Sequence, residues 1–155
     1  MKDTPATNDV RLQGVEHQVI DTGPVSSLEE AARLRGVPPS AVVKTMVVRR
    51  GEGDYIYVLV PGDRVIDWPK LRSTLGERRL SMPDADEAFE VTGYKRGAIT
   101  PLGASRNWPV YADERLVESD ISIGGGAYGI SITIDGAELV KAVEAHVGDL
   151  TKPQS

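Results

Sequence analysis

Lys44 stands inside Ala41–Val48, a run of eight residues that is otherwise almost wholly apolar and β-branched. On a strand it shares a face with Val42, Met46 and Val48, opposite Val43, Thr45 and Val47. With both faces apolar, the strand reads as central. A lysine there can guard a sheet edge or snorkel out at a strand end. It can also point into a pocket, where a partly desolvated ammonium fixes a phosphate or ester oxygen. The pattern leaves these readings open. A second candidate is the loop Thr92–Gly103, with three glycines and a proline in twelve residues. Such a backbone can aim N–H groups at a developing oxyanion, and long loops in compact domains tend to carry function; a plain surface connection is the alternative.

A third feature, Gly124–Gly129, matches G-x-G-x-x-G as written. A dinucleotide site requires that loop to open a helix. Here Ile130, Ile132 and Ile134 alternate as in a strand, so the segment reads as a glycine-rich turn. Glycine there permits positive φ and close approach to a ligand, or simply tight packing.

Other chemistries are excluded. The chain has no cysteine, so thiol nucleophiles, disulfides and zinc–thiolate sites are absent. His17 and His146 are too few for a histidine metal site, and each reads as a surface or packing residue rather than a triad member. Asp84, Asp86, Glu87 and Glu90 cluster on one capped helix and read as solvated. No metal and no cofactor are expected.

The elements that must position these groups are legible in outline. A strand is expected at Val15–Ile20. Ser26 and Ser27 each precede a glutamate by three residues, a doubled capping-box signal for a helix that Gly36 ends. The Lys44 strand returns through Arg49–Asp54 into Tyr55–Val60 as a hairpin. Asp67 caps a helix to Leu75, closed by Gly76, and Asp84–Thr92 forms another, closed by Gly93. A loop follows, Tyr94–Pro109, then strands at Val110–Ala112, Ile121–Ile123 and Ile130–Ile134. A closing helix is predicted over Gly136–Val147. Hairpins mixed with separated helices indicate an α+β (mixed α/β) fold. With 155 residues, one domain is expected over 9–150, with flexible tails at 1–8 and 151–155.

The formal net charge is −5, which excludes a strongly basic nucleic-acid coat; no DNA partner is expected. Residues 44–106 nevertheless carry a net +2 and the remainder −7. The basic pairs Arg49–Arg50, Arg78–Arg79 and Lys95–Arg96 are either solvated charges or a local patch for phosphate. No apolar run spans a membrane and the N-terminus lacks a signal-peptide core. A reducing, cytoplasmic compartment is the expectation.

Taken together, these segments resemble the YbaK-like family, the editing domain associated with proline-tRNA synthetase. The matching pieces are Ser26–Ala32 before Gly36-Val37, Val43–Val48, Val60–Asp63, Lys70-Leu71, Thr92–Tyr94, Gly97–Gly103 and the Gly125–Gly129 turn, in the family's order. The resemblance implies a barrel-like mixed β-sheet flanked by helices. It also implies a deacylase for tRNA mischarged with a small amino acid such as alanine, serine or cysteine. Positioned water would cleave the 3′-ribose ester. A non-catalytic amino-acid, nucleotide or tRNA-binding module is the alternative. Under the resemblance Lys44 anchors the substrate end and the backbone N–H groups of Gly97 and Ala98 polarise the ester. Thr45, Thr92, Tyr94, Ile99, Thr100, Pro101, Gly103, Gly124, Gly125 and Gly126 bind substrate. Arg49, Arg50, Arg78, Arg79, Lys95 and Arg96 would meet tRNA. The partners implied are the aminoacyl-tRNA acceptor end and an aminoacyl-tRNA synthetase. Two positions depart from the family pattern: Gly124, where members active on cysteine carry serine, and Ala98, where a second glycine is usual. Both bear on the amino-acid pocket.

Overall fold

A computed structural model describes residues 3–154. Its centre is β3 (Asp54–Pro61), in which every residue from Tyr55 to Pro61 is buried. The run is apolar on both faces, so it requires cover on both. β2 (Val43–Gly51) pairs with it antiparallel, placing Lys44 opposite Val60. On its other side β5 (Val110–Asp113) and then β8 (His146–Gly148) continue the sheet in parallel.

One face of this sheet presents Val43, Val47, Tyr57, Leu59 and Ala112. It packs on a second sheet in the order β1 (His17–Asp21), β7 (Ile130–Asp135), β6 (Asp120–Gly124), which contributes Ile121, Ile123, Ile132 and Ile134. The other face presents Val48, Ile56, Val58 and Val60, covered by Leu71 of α2 (Trp68–Leu75), Ile66 of β4 (Arg64–Ile66) and Leu150. β9 (Thr151–Pro153) pairs antiparallel with β4. The two main sheets meet at one parallel bridge, Val42 to Ser122. The barrel-like arrangement implied by the resemblance is thus realised as separate sheets joined at a seam.

The helices begin and end where their capping residues dictate. At α1 (Leu28–Arg35) the Ser27 hydroxyl accepts from the Glu30 N–H while the Glu30 carboxylate accepts from the Ser26 N–H, a reciprocal cap set one residue back. Gly36, Gly76 and Gly93 close α1, α2 and α3 (Ala85–Thr92) in the left-handed conformation. Among the described residues no helix is long and apolar enough to cross a membrane.

Three expectations are corrected. The closing helix, α4, stops at Ala142 rather than Val147: it spans Gly136–Ala142, and Glu144 turns the chain at φ 53°. The chain then supplies β8, whose hydrogen-bonding edge completes β5. His146 therefore lies on a strand, stacked on Tyr111 at 4.8 Å between ring centroids. The C-terminal tail is a strand where it is described: the buried Asp113 carboxylate accepts from the Leu150 N–H and the Thr151 hydroxyl and draws the segment in. At the other end Thr4 and Ala6 are buried, with the Thr4 hydroxyl donating to the Gly125 carbonyl. Met1, Lys2 and Ser155, which the tail expectation included, lie outside the described residues.

Because β3 is enclosed on both faces, Leu59→Ala should cost about 2–5 kcal/mol in urea unfolding. Leu34→Ala, at a side chain that is 41% exposed, should change stability by less than about 0.5 kcal/mol.

Candidate active site

The two glycine-rich segments predicted to do chemistry converge. A cavity of about 200 Å³ is lined by Gly97 and Ala98 from the long loop, Gly124–Gly125 and Ala127–Ile130 from the β6–β7 turn, Pro24, Val25, and Arg35 at the end of α1. Two larger recesses, about 550 Å³ each, lie elsewhere. One carries Glu16, Asp120, Asp135 and Glu138, and its carboxylates disfavour any anionic substrate; the other lies between Tyr55, Glu87 and Trp108. The smaller cavity has no carboxylate in its lining, and Arg35 is its one charged group.

Its walls need glycine. In the β6–β7 turn, Ile130 N–H donates to the Ala127 carbonyl and Gly125 N–H to the Ile130 carbonyl. A Cβ on Gly125 would lie 2.6–2.9 Å from Ile130, and one on Gly129, at φ 79°, would lie 2.6 Å from the Gly23 carbonyl. Gly97 sits at φ 91° under the Tyr128 ring, and the Tyr128 hydroxyl donates to the Arg96 carbonyl across the mouth. Ala98 N–H is already engaged, donating to the Lys95 carbonyl at 2.9 Å. The oxyanion role expected of it therefore fails in this geometry. The N–H groups of Gly97, Gly126 and Ala127 have no acceptor among the described residues.

The rest of the loop supports rather than lines the cavity. The Thr92 hydroxyl donates to the Ala88 carbonyl and accepts from Tyr94 N–H, and the Tyr94 hydroxyl donates to the Leu102 carbonyl. Burial, aided by the Asp9 charge, pushes that phenol up to about 12. Thr100 is buried, its hydroxyl accepting from Leu102 N–H. The Pro101 carbonyl accepts from the Arg11 guanidinium, and the Asp9 carboxylate accepts from Gly103 N–H at 2.7 Å and from Arg11. Gly103 has φ 65°, and a Cβ there would lie 2.2 Å from the Pro5 backbone. Thr92, Tyr94, Thr100, Pro101 and Gly103 are thus absent from the lining and hold the loop's shape, together with an N-terminal strap where a flexible tail was expected. Ile99 packs against the core, its carbonyl 3.8 Å from where a Gly124 Cβ would lie. Gly126, at φ 86°, packs against Tyr94, Ala6 and Thr4.

Lys44 is not among the lining residues; its ammonium donates to the Arg64 carbonyl. Burial pulls its pKa below the usual lysine value, partly opposed by Asp63. The Val42–Ser122 bridge nevertheless brings the start of the Lys44 strand beside β6, two residues before Gly124. Thr45 faces the other way, its hydroxyl buried without a partner.

The basic pairs divide. Arg50 is bound to Asp54 at 3.0 Å and Arg49 to Glu87 at 3.5 Å. Both lie at the far end of β2, about 17–20 Å from Lys44 at strand spacing. Arg78, Arg79, Lys95 and Arg96 are exposed, and Lys95 and Arg96 directly precede Gly97.

Sequence reasoning missed Arg35. It reads as an ordinary basic residue at a helix C-terminus, where the macrodipole favours it. In the structure its guanidinium turns inward and donates to Ser122 Oγ at 3.3 Å, while its Nε is buried without a partner. Burial pulls its pKa below the ordinary guanidinium value. No group of histidine, aspartate or glutamate side chains that could hold a metal occurs among the described residues.

A profile of the family described as the aminoacyl-tRNA editing domain matches residues 22–142. The proline–tRNA ligase of Trichlorobacter lovleyi is 34% identical over 118 residues, covering 70% of this chain and 20% of that protein. The chain thus spans about a fifth of the length of the ligases it matches. A protein of Enterococcus faecalis, provisionally named a Cys-tRNA(Pro)/Cys-tRNA(Cys) deacylase, is 25% identical over 126 residues, covering 81% of this chain and 77% of its own length. A solved structure provisionally described as a trans-editing enzyme for prolyl tRNA synthetase superposes with a TM-score of 0.83 at 26% identity, covering 97% of this chain and 98% of that one.

The strap yields a prediction with a definite sign. Burial alone would raise the Asp9 carboxyl, but bonds from the Arg11 side chain and backbone and from Gly103 N–H outweigh it and hold it below its ordinary 3.8. A depressed folded pKa contributes stability that is complete above the unfolded value and is lost as pH falls through the folded one. Asp9→Asn should therefore lower stability at neutral pH by about 1–2 kcal/mol. The difference from wild type should shrink as pH falls below the ordinary carboxylate range, measured by urea unfolding across that interval.

Proposed function

The chain belongs to the aminoacyl-tRNA editing domain family, and from that membership we propose that it is a trans-acting deacylase of aminoacyl-tRNA mischarged with a small amino acid. The observation that carries the reading is the convergence of the Gly97 loop and the Gly124–Gly129 turn on one small cavity. A volume of about 200 Å³ suits a short amino acid on its ester better than a long one. Gly124 leaves that wall without a side chain.

An aminoacyl ester is already activated, so positioning and electrostatic stabilisation suffice and no side-chain nucleophile is needed. Water adds to the carbonyl carbon, and the bond from that carbon to the ribose oxygen breaks. The proton given up by water ends on the ribose oxygen, relayed by the neighbouring ribose hydroxyl, and the amino acid leaves. The cavity lining holds no histidine or carboxylate to act as base, which favours this substrate-assisted route. The free N–H groups of Gly97 and Ala127 replace Ala98 as donors to the developing oxyanion. Lys44 exchanges the Arg64 carbonyl for the 3′-terminal nucleotide. Arg78, Arg79, Lys95 and Arg96 meet the acceptor stem, in a cytoplasmic setting alongside a synthetase.

Hydrolysis of tRNAs charged with alanine, serine, cysteine, threonine and proline tests the reading. Wild type should release one or two of the small amino acids selectively, and Lys44→Ala should slow that release roughly 10²-fold. Binding of charged tRNA without hydrolysis of any member would instead support a non-catalytic module.

A further inference from the structure

Arg35 is the least satisfied arginine near the cavity. A guanidinium carries five donors. The Arg11 guanidinium is bonded to both Asp9 oxygens and the Pro101 carbonyl, and that of Arg115 to Asp113 and Asp149. Arg35 makes a single hydrogen bond, at 3.3 Å, to a neutral hydroxyl, and is half-buried with no carboxylate beside it. A purely structural arginine in that position would leave a desolvated charge uncompensated. Its neighbour Arg33, on the same last turn of α1, is exposed.

Behind the cavity, Arg35 reaches the polar face of the β6–β7 pair. In the β6–β7 pairing Ser122 lies opposite Thr133, and Gly124 opposite Ser131. These four share the face turned away from the isoleucine core. The hydroxyls of Ser131 and Thr133 on that face are buried without partners, behind the cavity rather than in its lining, and Thr133 borders the acidic recess. Arg35 and the unpaired N–H groups of Gly97 and Ala127 line a space whose lining holds no carboxylate. That set selects an oxyanion.

We propose that Arg35 is a phosphate-recognition residue, its guanidinium holding the phosphate attached to the terminal nucleoside of the substrate. The anion chemistry follows from the cavity itself; its assignment to the acceptor end of tRNA rests on the deacylase reading. An aminoacyl ester has no free carboxylate, so in that substrate the phosphodiester is the only anion available. Lys44 and Arg35 then approach the terminal nucleotide from two sides, and Ser122 orients the guanidinium.

Calorimetric titration with adenosine 5′-monophosphate, adenosine and free alanine separates the sources. Wild type should bind the monophosphate at least about tenfold more tightly than adenosine. Arg35→Gln should abolish that margin while leaving adenosine affinity unchanged. Arg35→Lys should retain part of it, and Ser122→Ala should weaken it with the charge intact. Arg33→Gln should have no effect. Thermal unfolding of each variant distinguishes a folded protein that lacks the anion site from a collapsed one. With charged tRNA, Arg35→Gln should raise KM and spare kcat. Equal affinity of wild type for monophosphate and adenosine, or an equal loss of both in a folded Arg35→Gln protein, would overturn the proposal, as would Arg35-dependent binding of alanine alone. Arg35-dependent monophosphate binding without hydrolysis of any charged tRNA would uphold it while the deacylase reading fails.

Discussion

Enclosure of β3 on both faces fixes most of what surrounds it. A strand that is apolar throughout cannot meet water on either side. One face therefore requires the isoleucine sheet of β6 and β7, and the other requires α2 with β4 and Leu150. Its two edges recruit β2 and β5. The seam between the sheets falls at the start of β2, where Val42 meets Ser122. The strand that carries Lys44 meets β6 there, two residues before Gly124, although the two bridge residues are 80 positions apart in the chain. The cavity lies at the β6–β7 turn, just beyond that meeting of strands.

Electrostatics then divides the surface of a chain with net charge −5. Carboxylates gather in the recess around Glu16, Asp120 and Glu138, while the cavity at the seam keeps a cation and none of them. An acidic protein can meet a polyanion in this way, by confining positive charge to the few positions that touch it. Arg49 and Arg50, already paired with Glu87 and Asp54, are not part of that provision. The rigidity of the cavity comes from elsewhere. Asp9 and Arg11 hold the backbone of the 101–103 segment, and Thr4 holds the turn at Gly125, so an N-terminal strap joins both glycine-rich walls.

What the sequence disclosed was local. Caps at Ser27, Asp67 and Asp84, glycine stops, the hairpin around Gly51–Asp54 and the isoleucine alternation all depend on residues close in the chain, and all appear in the fold. The glycine segments were legible as special because glycine is costly without a purpose. What stayed hidden was non-local. Arg35 acquires its character from Ser122, 87 positions away, and Asp9 from Gly103. Ala98 lost its expected role to a turn bond that composition cannot reveal. The end of α4 was misread because Val143 and Val147 continue a helical spacing. The unfilled edge of β5 outweighs that spacing and takes the segment as β8.

The most direct test follows backbone amide resonances while the protein is titrated with a non-hydrolysable aminoacyl-adenosine 5′-monophosphate, its ester replaced by an amide. The account predicts that the amides of Gly97 and of Gly124–Gly129, together with the Arg35 side chain, shift in a saturable way. Residues lining the Tyr55–Trp108 recess should stay in place. Perturbation confined to that recess or to the acidic one, with the glycine walls unmoved, would contradict it.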